Sequence, residues 1–145
     1  MALTAKLYGP FLQSLAAKEI NLASDTLKAM LCTSSYAPNQ DTHRYKSDVT
    51  NEVTGTGYTA GGQTLTGVTV TYNATTNTLM LDANDPVWTG STITARFLVI
   101  YDDTPSTAAT KPLICYWDFG EDQISSSGNF TATISGSGLA TITAA

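Results

Sequence analysis

From residue 65 onward, apolar and polar residues alternate along most of the chain with the two-residue period of half-buried strands. In "TITARFLVIY", Ile93, Ala95, Phe97, Val99 and Tyr101 share one face, while Leu98 and Ile100 make the far end apolar on both. "LICYWDF" repeats the arrangement, with Leu113, Cys115, Trp117 and Phe119 on one side and Ile114 and Tyr116 on the other. These two segments are expected at the centre of the core. The predicted strands are 65 to 72, 78 to 82, 92 to 101, 112 to 119, 130 to 134 and 139 to 143. Turn chemistry separates them in "NATTN", "DANDP", "DDTPST", "EDQISSSGN" and "SGSG".

The first part of the chain reads differently. Phe11, Leu12, Leu15 and Ala16 fall at helical spacing behind Pro10, so residues 10 to 18 are expected to form a short amphipathic helix lying on a sheet. "LKAMLCT", entered through the turn signal Ser24-Asp25, is apolar on both faces and reads as a covered central strand. Residues 34 to 63 form a long polar loop without a clear period. The pattern predicts one mainly β domain over residues 1 to 145, an antiparallel β-sandwich or barrel-like fold with one short N-terminal helix and one long polar loop.

Inside that loop "GTGYTAGG" matches the G-x-G-x-x-G/A spacing of a dinucleotide-binding turn from Gly55 to Ala60. That chemistry needs a strand before the glycines and a helix after them, because the pyrophosphate sits on free N–H groups at the helix N-terminus. The flanks here are the polar "HRYKSDVTNEV" and the alternating "QTLTGVTVTY", which is strand-like. The glycines are therefore expected to allow positive φ or close backbone approach, with no cofactor bound.

Composition narrows the class further. A chain of 145 residues with 42% hydrophobic and 13% charged residues can hold a proper core in a single domain, and Thr, at about one residue in six, suits β-rich surfaces. A net charge of −5 and a pI near 4.5 leave no basic face for nucleic acid and no attraction to an anionic membrane. The amino-terminal "MALTAKLYGPFLQSLAAKEI" lacks the h-region length and cleavage site of a signal peptide, so synthesis and folding in the cytoplasm are expected. The sequons at Asn73 and Asn129 would matter only in a glycosylating pathway. Cys32 and Cys115 read as two buried thiols, with a disulfide between neighbouring strands as the alternative.

Candidate chemistry is sparse. His43 is the sole histidine and lies in "PNQDTHRY" two residues after Asp41; no G-x-S-x-G elbow, H-E-x-x-H or Walker loop accompanies it. Carboxylates collect at predicted strand ends in "DANDP", at Asp102 and Asp103, and at Asp118, Glu121 and Asp122. Calcium or a glycosidase pair could use such acids, yet they read as turn formers without EF-hand spacing. "DFG" at Asp118 stands without other kinase elements. Catalytic residues, metal ligands and cofactors are accordingly expected to be none.

"SSYAPNQDTHRYKSDVTNEVTGTGYTAGGQTL", "TARFLVIYDDT" and "PLICYWDFGED" together resemble a family of small proteins encoded among the virion genes of tailed bacteriophages and prophages. The resemblance runs from "KLY" near the amino terminus to "SSSGNF", and the central loop is its most specific part. It implies a non-enzymatic virion component, foremost a head decoration or cement protein that binds the major capsid protein or another virion protein and forms a homo-oligomer, with a trimer favoured. A tail or adaptor component, or a receptor- or carbohydrate-binding module, is the alternative. Tyr36, Tyr45 and Tyr58 of the long loop are the candidate contact residues, against a reading in which they pin the loop to its own domain.

Overall fold

A computed structural model describes residues 2–145. It contains eight strands and one α-helix: β1 (Thr4–Leu7), α1 (Gly9–Ala16), β2 (Leu27–Cys32), β3 (Gln63–Thr64), β4 (Thr69–Asn73), β5 (Thr78–Asp82), β6 (Val87–Asp102), β7 (Leu113–Thr131) and β8 (Ala140–Thr143). All pairings are antiparallel. One sheet has the order β1-β7-β6-β2-β3 and the other β4-β5-β8. Both sheets stay open, so the architecture is sandwich-like and the barrel alternative is not realised.

The doubly apolar segments lie where their pattern requires. Leu98, Val99, Ile100 and Tyr101 of β6 and Leu113 and Ile114 of β7 are fully buried between β1 and β2. Towards their other ends, β6 and β7 continue as a long ribbon whose Trp88 is sealed by Tyr58 at 6.2 Å and by Phe130, edge-on, at 5.8 Å between ring centroids. Leu81 and Leu139 extend the same core into the smaller sheet.

Several boundaries differ from expectation. Residues 121–129, expected as a turn, belong to β7, and of the predicted strand 130–134 only Phe130 and Thr131 are extended, as its end. The turn-forming letters are used in a bulge: between Ala95↔Gln123 and Phe97↔Asp118, β7 inserts Phe119–Asp122 where β6 has Arg96 alone. Asp118 closes that irregularity by accepting the Gly120 N–H at 2.8 Å and pairing with the Arg96 guanidinium at 2.5 Å. The strand expected over 65–72 begins at Thr69, because Gly67 adopts φ 62° and breaks the run. Residues 4–7, given no element in the sequence reading, form the edge strand β1 on β7.

The helix ends two residues earlier than expected. Lys18 has φ 60°, and the N–H groups of Lys18 and Glu19 close the terminus onto the carbonyls of Leu15 and Ser14. Phe11 and Ser14 face inward, and Leu12 faces out. The two cysteines are free and buried. In register Cys32 faces Phe97 and Cys115 faces Ile100, with β6 between their strands. Strands two apart are separated by roughly 9–10 Å, beyond the ~7 Å reach of a disulfide, so the disulfide alternative fails.

Candidate interaction surface

The long polar loop is not a free excursion. Its middle runs along the outer edges of β2 and β6 and covers them, which is how an open sheet avoids presenting unpaired backbone. Thr33 donates its N–H to the Asn51 carbonyl and Val53 to that of Leu31, both at 2.9 Å. Thr92 of β6 donates to Thr56 at 2.9 Å, and Leu65 returns the chain to Leu27 at 2.8 Å.

"GTGYTAGG" makes this approach possible. A β-carbon on Gly55 would stand 2.4 Å from the Thr92 carbonyl oxygen, and one on Gly57 would stand 2.8 Å from Ser91 Cα. Glycine is thus required by contact with the sheet. Beneath it, the Tyr58 hydroxyl donates to Glu52 Oε1 at 2.7 Å and accepts the Leu31 N–H at 3.0 Å. Glu52 Oε1 also accepts the Gly61 N–H, and Tyr101 donates to the Gly61 carbonyl at 2.8 Å.

The three candidate tyrosines therefore have different surroundings. Tyr36 is 2% exposed; its hydroxyl lies 2.9 Å from that of Tyr8 and 3.0 Å from His43 Nδ1, and its ring meets Phe97 edge-on. Desolvation pushes its phenol up to about 12. Tyr36 has no surface to offer a partner and holds the loop to its own domain, and Tyr58 is turned inward in the same sense. Tyr45 is half-buried on the outside, donating to Glu19. Desolvation pushes the Glu19 carboxyl up, but hydrogen bonds from Ser14, Arg44 and Tyr45 outweigh it and hold Glu19 below the ordinary carboxylate range. His43 is half-buried and packs near the rings of Tyr8 and Tyr36.

What the docked loop leaves outside is an exposed surface of mostly small hydroxyl side chains around Ile124. Thr92 and Thr94 of β6 are exposed two residues apart, and Thr94 pairs with Ile124, which is 72% exposed, with exposed Ser126 two residues further on. Thr54 and Thr56 of the loop border them. A shallow groove of about 390 Å³ joins the two, lined by Thr33, Glu52, Val53, Thr54, Thr92, Ile93, Thr94, Ile124, Ser125 and Ser126. Below it the Ser91 and Ser125 hydroxyls bond at 2.7 Å inside the ribbon, fixing its backbone. Sequence reasoning missed Ile124; its signal was one apolar residue within "EDQISSSGN".

Among the described residues no three His, Cys, Asp or Glu side chains converge as a metal-binding set, and no helix is long and apolar enough to cross a membrane. Asp103 binds Lys28 at 3.0 Å and also Lys111, and Asp118 binds Arg96, so these strand-end acids are engaged in ion pairs. Comparison with protein-family models, with curated proteins and with solved structures finds no match.

Proposed function

We propose that this chain is a non-enzymatic structural protein of a tailed-phage virion, added to the outside of the head as a decoration protein. Its partner is the major capsid protein or another virion protein. The reading rests first on the resemblance carried by "SSYAPNQDTHRYKSDVTNEVTGTGYTAGGQTL". The observation that carries it further is that this same segment is tied by backbone hydrogen bonds to β2 and β6 beside an exposed isoleucine. A preformed surface loses little conformational freedom on binding, so even a small contact retains most of its interaction energy.

The contact we assign is the face formed by Thr54, Thr92, Thr94, Ile124 and Ser126. Ile124 supplies the apolar anchor and the hydroxyls supply adaptable hydrogen bonds. A cyclic oligomer, with a trimer favoured, presents the face several times over, and a capsid lattice repeats the partner. Simultaneous engagement then raises avidity by orders of magnitude over one contact.

Mixing the purified protein with expanded heads of the particle whose genome encodes it tests this. Saturation at a stoichiometry fixed by the lattice is expected, lost in Ile124→Asp while the fold persists. Absence of saturable binding by the folded wild type would defeat the reading.

A further inference from the structure

The last residue of β6 carries a buried acid that the fold leaves half unpartnered. The Asp102 side chain is completely buried; its Oδ1 accepts the Thr104 N–H at 2.8 Å, and its Oδ2 has no donor. Asp102 faces Leu27 in the register of β6 and β2, and two residues before Leu27 stands Asp25. The backbone clamps the two together: Asp103 donates its N–H to the Thr26 carbonyl at 2.8 Å, and Thr26 donates to Thr104 Oγ1 at 2.9 Å. The Asp25 side chain is thereby brought beside Asp102, and its own Oδ2 accepts the Asn21 N–H at 2.6 Å.

Nearby cations are committed elsewhere. Lys28, from β2, and Lys111, from the β6–β7 connection, both bind Asp103. The remaining charged neighbour, Asp25, has the same sign as Asp102. Two neighbouring carboxylates, one of them out of water, cannot both stay ionised without a large cost.

We propose that Asp25 and Asp102 share one proton, and that the resulting O–H···O bond is a pH-sensitive clasp closing the Ile20–Thr26 segment onto the end of the β2–β6 pair. The proton supplies the donor that Asp102 Oδ2 lacks. Ile20 and Leu22, both buried, lie in the segment that the clasp holds down.

The direction of the pH dependence follows. Burial, together with the Asp25 carboxyl, outweighs the lowering bond from Thr104 and pushes the Asp102 carboxyl up to about 6. A group whose folded pKa is raised contributes stability that is complete below the unfolded value near 3.9 and is lost as pH climbs through the folded value. The clasp is closed in mild acid and opens towards pH 7.

Asp102→Asn keeps the Thr104 bond and supplies a permanent N–H donor to Asp25. Denaturation of wild type and Asp102→Asn at intervals from pH 4 to 7.5 isolates the effect. The wild type should lose roughly 10- to 100-fold in folding constant relative to the variant across that range. A carbon-13 titration of the wild-type Asp102 carboxyl, which needs no variant, should show a midpoint near 6 that falls in Asp25→Asn. Parallel stability curves, or an Asp102 midpoint below about 4, would overturn the clasp.

Discussion

The carbonyl oxygen of Ala29 lies so close to Gly62 that a β-carbon on Gly62 would stand 1.9 Å from it. Gly62 also adopts φ 82°, so both backbone conformation and space forbid a side chain there. Gly62→Ala is expected to destabilise the protein by about 3 kcal/mol or more, the sum of the left-handed strain and a contact that only backbone movement relieves. Gly136→Ala, where nothing lies within 4 Å, should be nearly neutral. Urea denaturation of both variants checks the pair.

A corollary concerns nucleotides. Because Gly55 and Gly57 are occupied in packing against Thr92 and Ser91, titration with NAD, NADP or ATP should give no saturable binding. A micromolar constant abolished by Gly57→Val would contradict this.

Tyr36 and Tyr45 should separate cleanly on mutation. Tyr36→Phe leaves the buried Tyr8 hydroxyl without its partner and removes one of the two bonds at His43 Nδ1, at about 1–3 kcal/mol. Tyr45→Phe removes only a partly exposed bond to Glu19 and should cost under about 1 kcal/mol. Thermal unfolding distinguishes them, and a larger effect at Tyr45 would refute the placement.

Acid stability offers a test with the opposite sign to that of Asp102. Desolvation pushes the Asp103 carboxyl up, but Lys111 and Lys28 outweigh it and hold it below the ordinary carboxylate range. Its contribution is therefore present above the unfolded value near 3.9 and is lost as pH falls through the lower folded value. Asp103→Asn should cost about 1–2 kcal/mol at pH 7 and little at pH 2, as read from denaturation midpoints.

The thiols give a simpler check. Burial pushes both Cys32 and Cys115 up to about 12 and encloses them, so neither should react with a thiol reagent in the native state. Unfolding should expose two thiols, as counted from the sequence.

Much of this fold is legible in the sequence. The doubly apolar Leu27–Cys32 strand and the Thr78–Asp82 strand, with its apolar Leu79-Met80-Leu81 run between turn signals, stand where their patterns place them, because burial writes itself into local sequence. The bulged continuation of β7 is not written that way. Glu121 and Asp122 keep their turn character in the bulge, whereas Ser125 and Gly128 carry turn preferences that only pairing with Ile93 and Ser91 across the ribbon overrides. β1 is similarly silent: Thr4, Ala5 and Lys6 are exposed, and their extended form comes from the β7 edge they cover. The contact face depends on long-range placement too, since Thr54 and Ile124 meet only after the loop docks. Tyr36 was misleading for the same reason, as its burial is set by Tyr8 and Phe97.

The proposed role is tested most directly by labelling intact virions with an antibody raised against the purified protein and imaging where it binds. A head decoration protein predicts label distributed over the head surface, at a density that follows the lattice. Label confined to the tail, or none on the virion, would contradict the account.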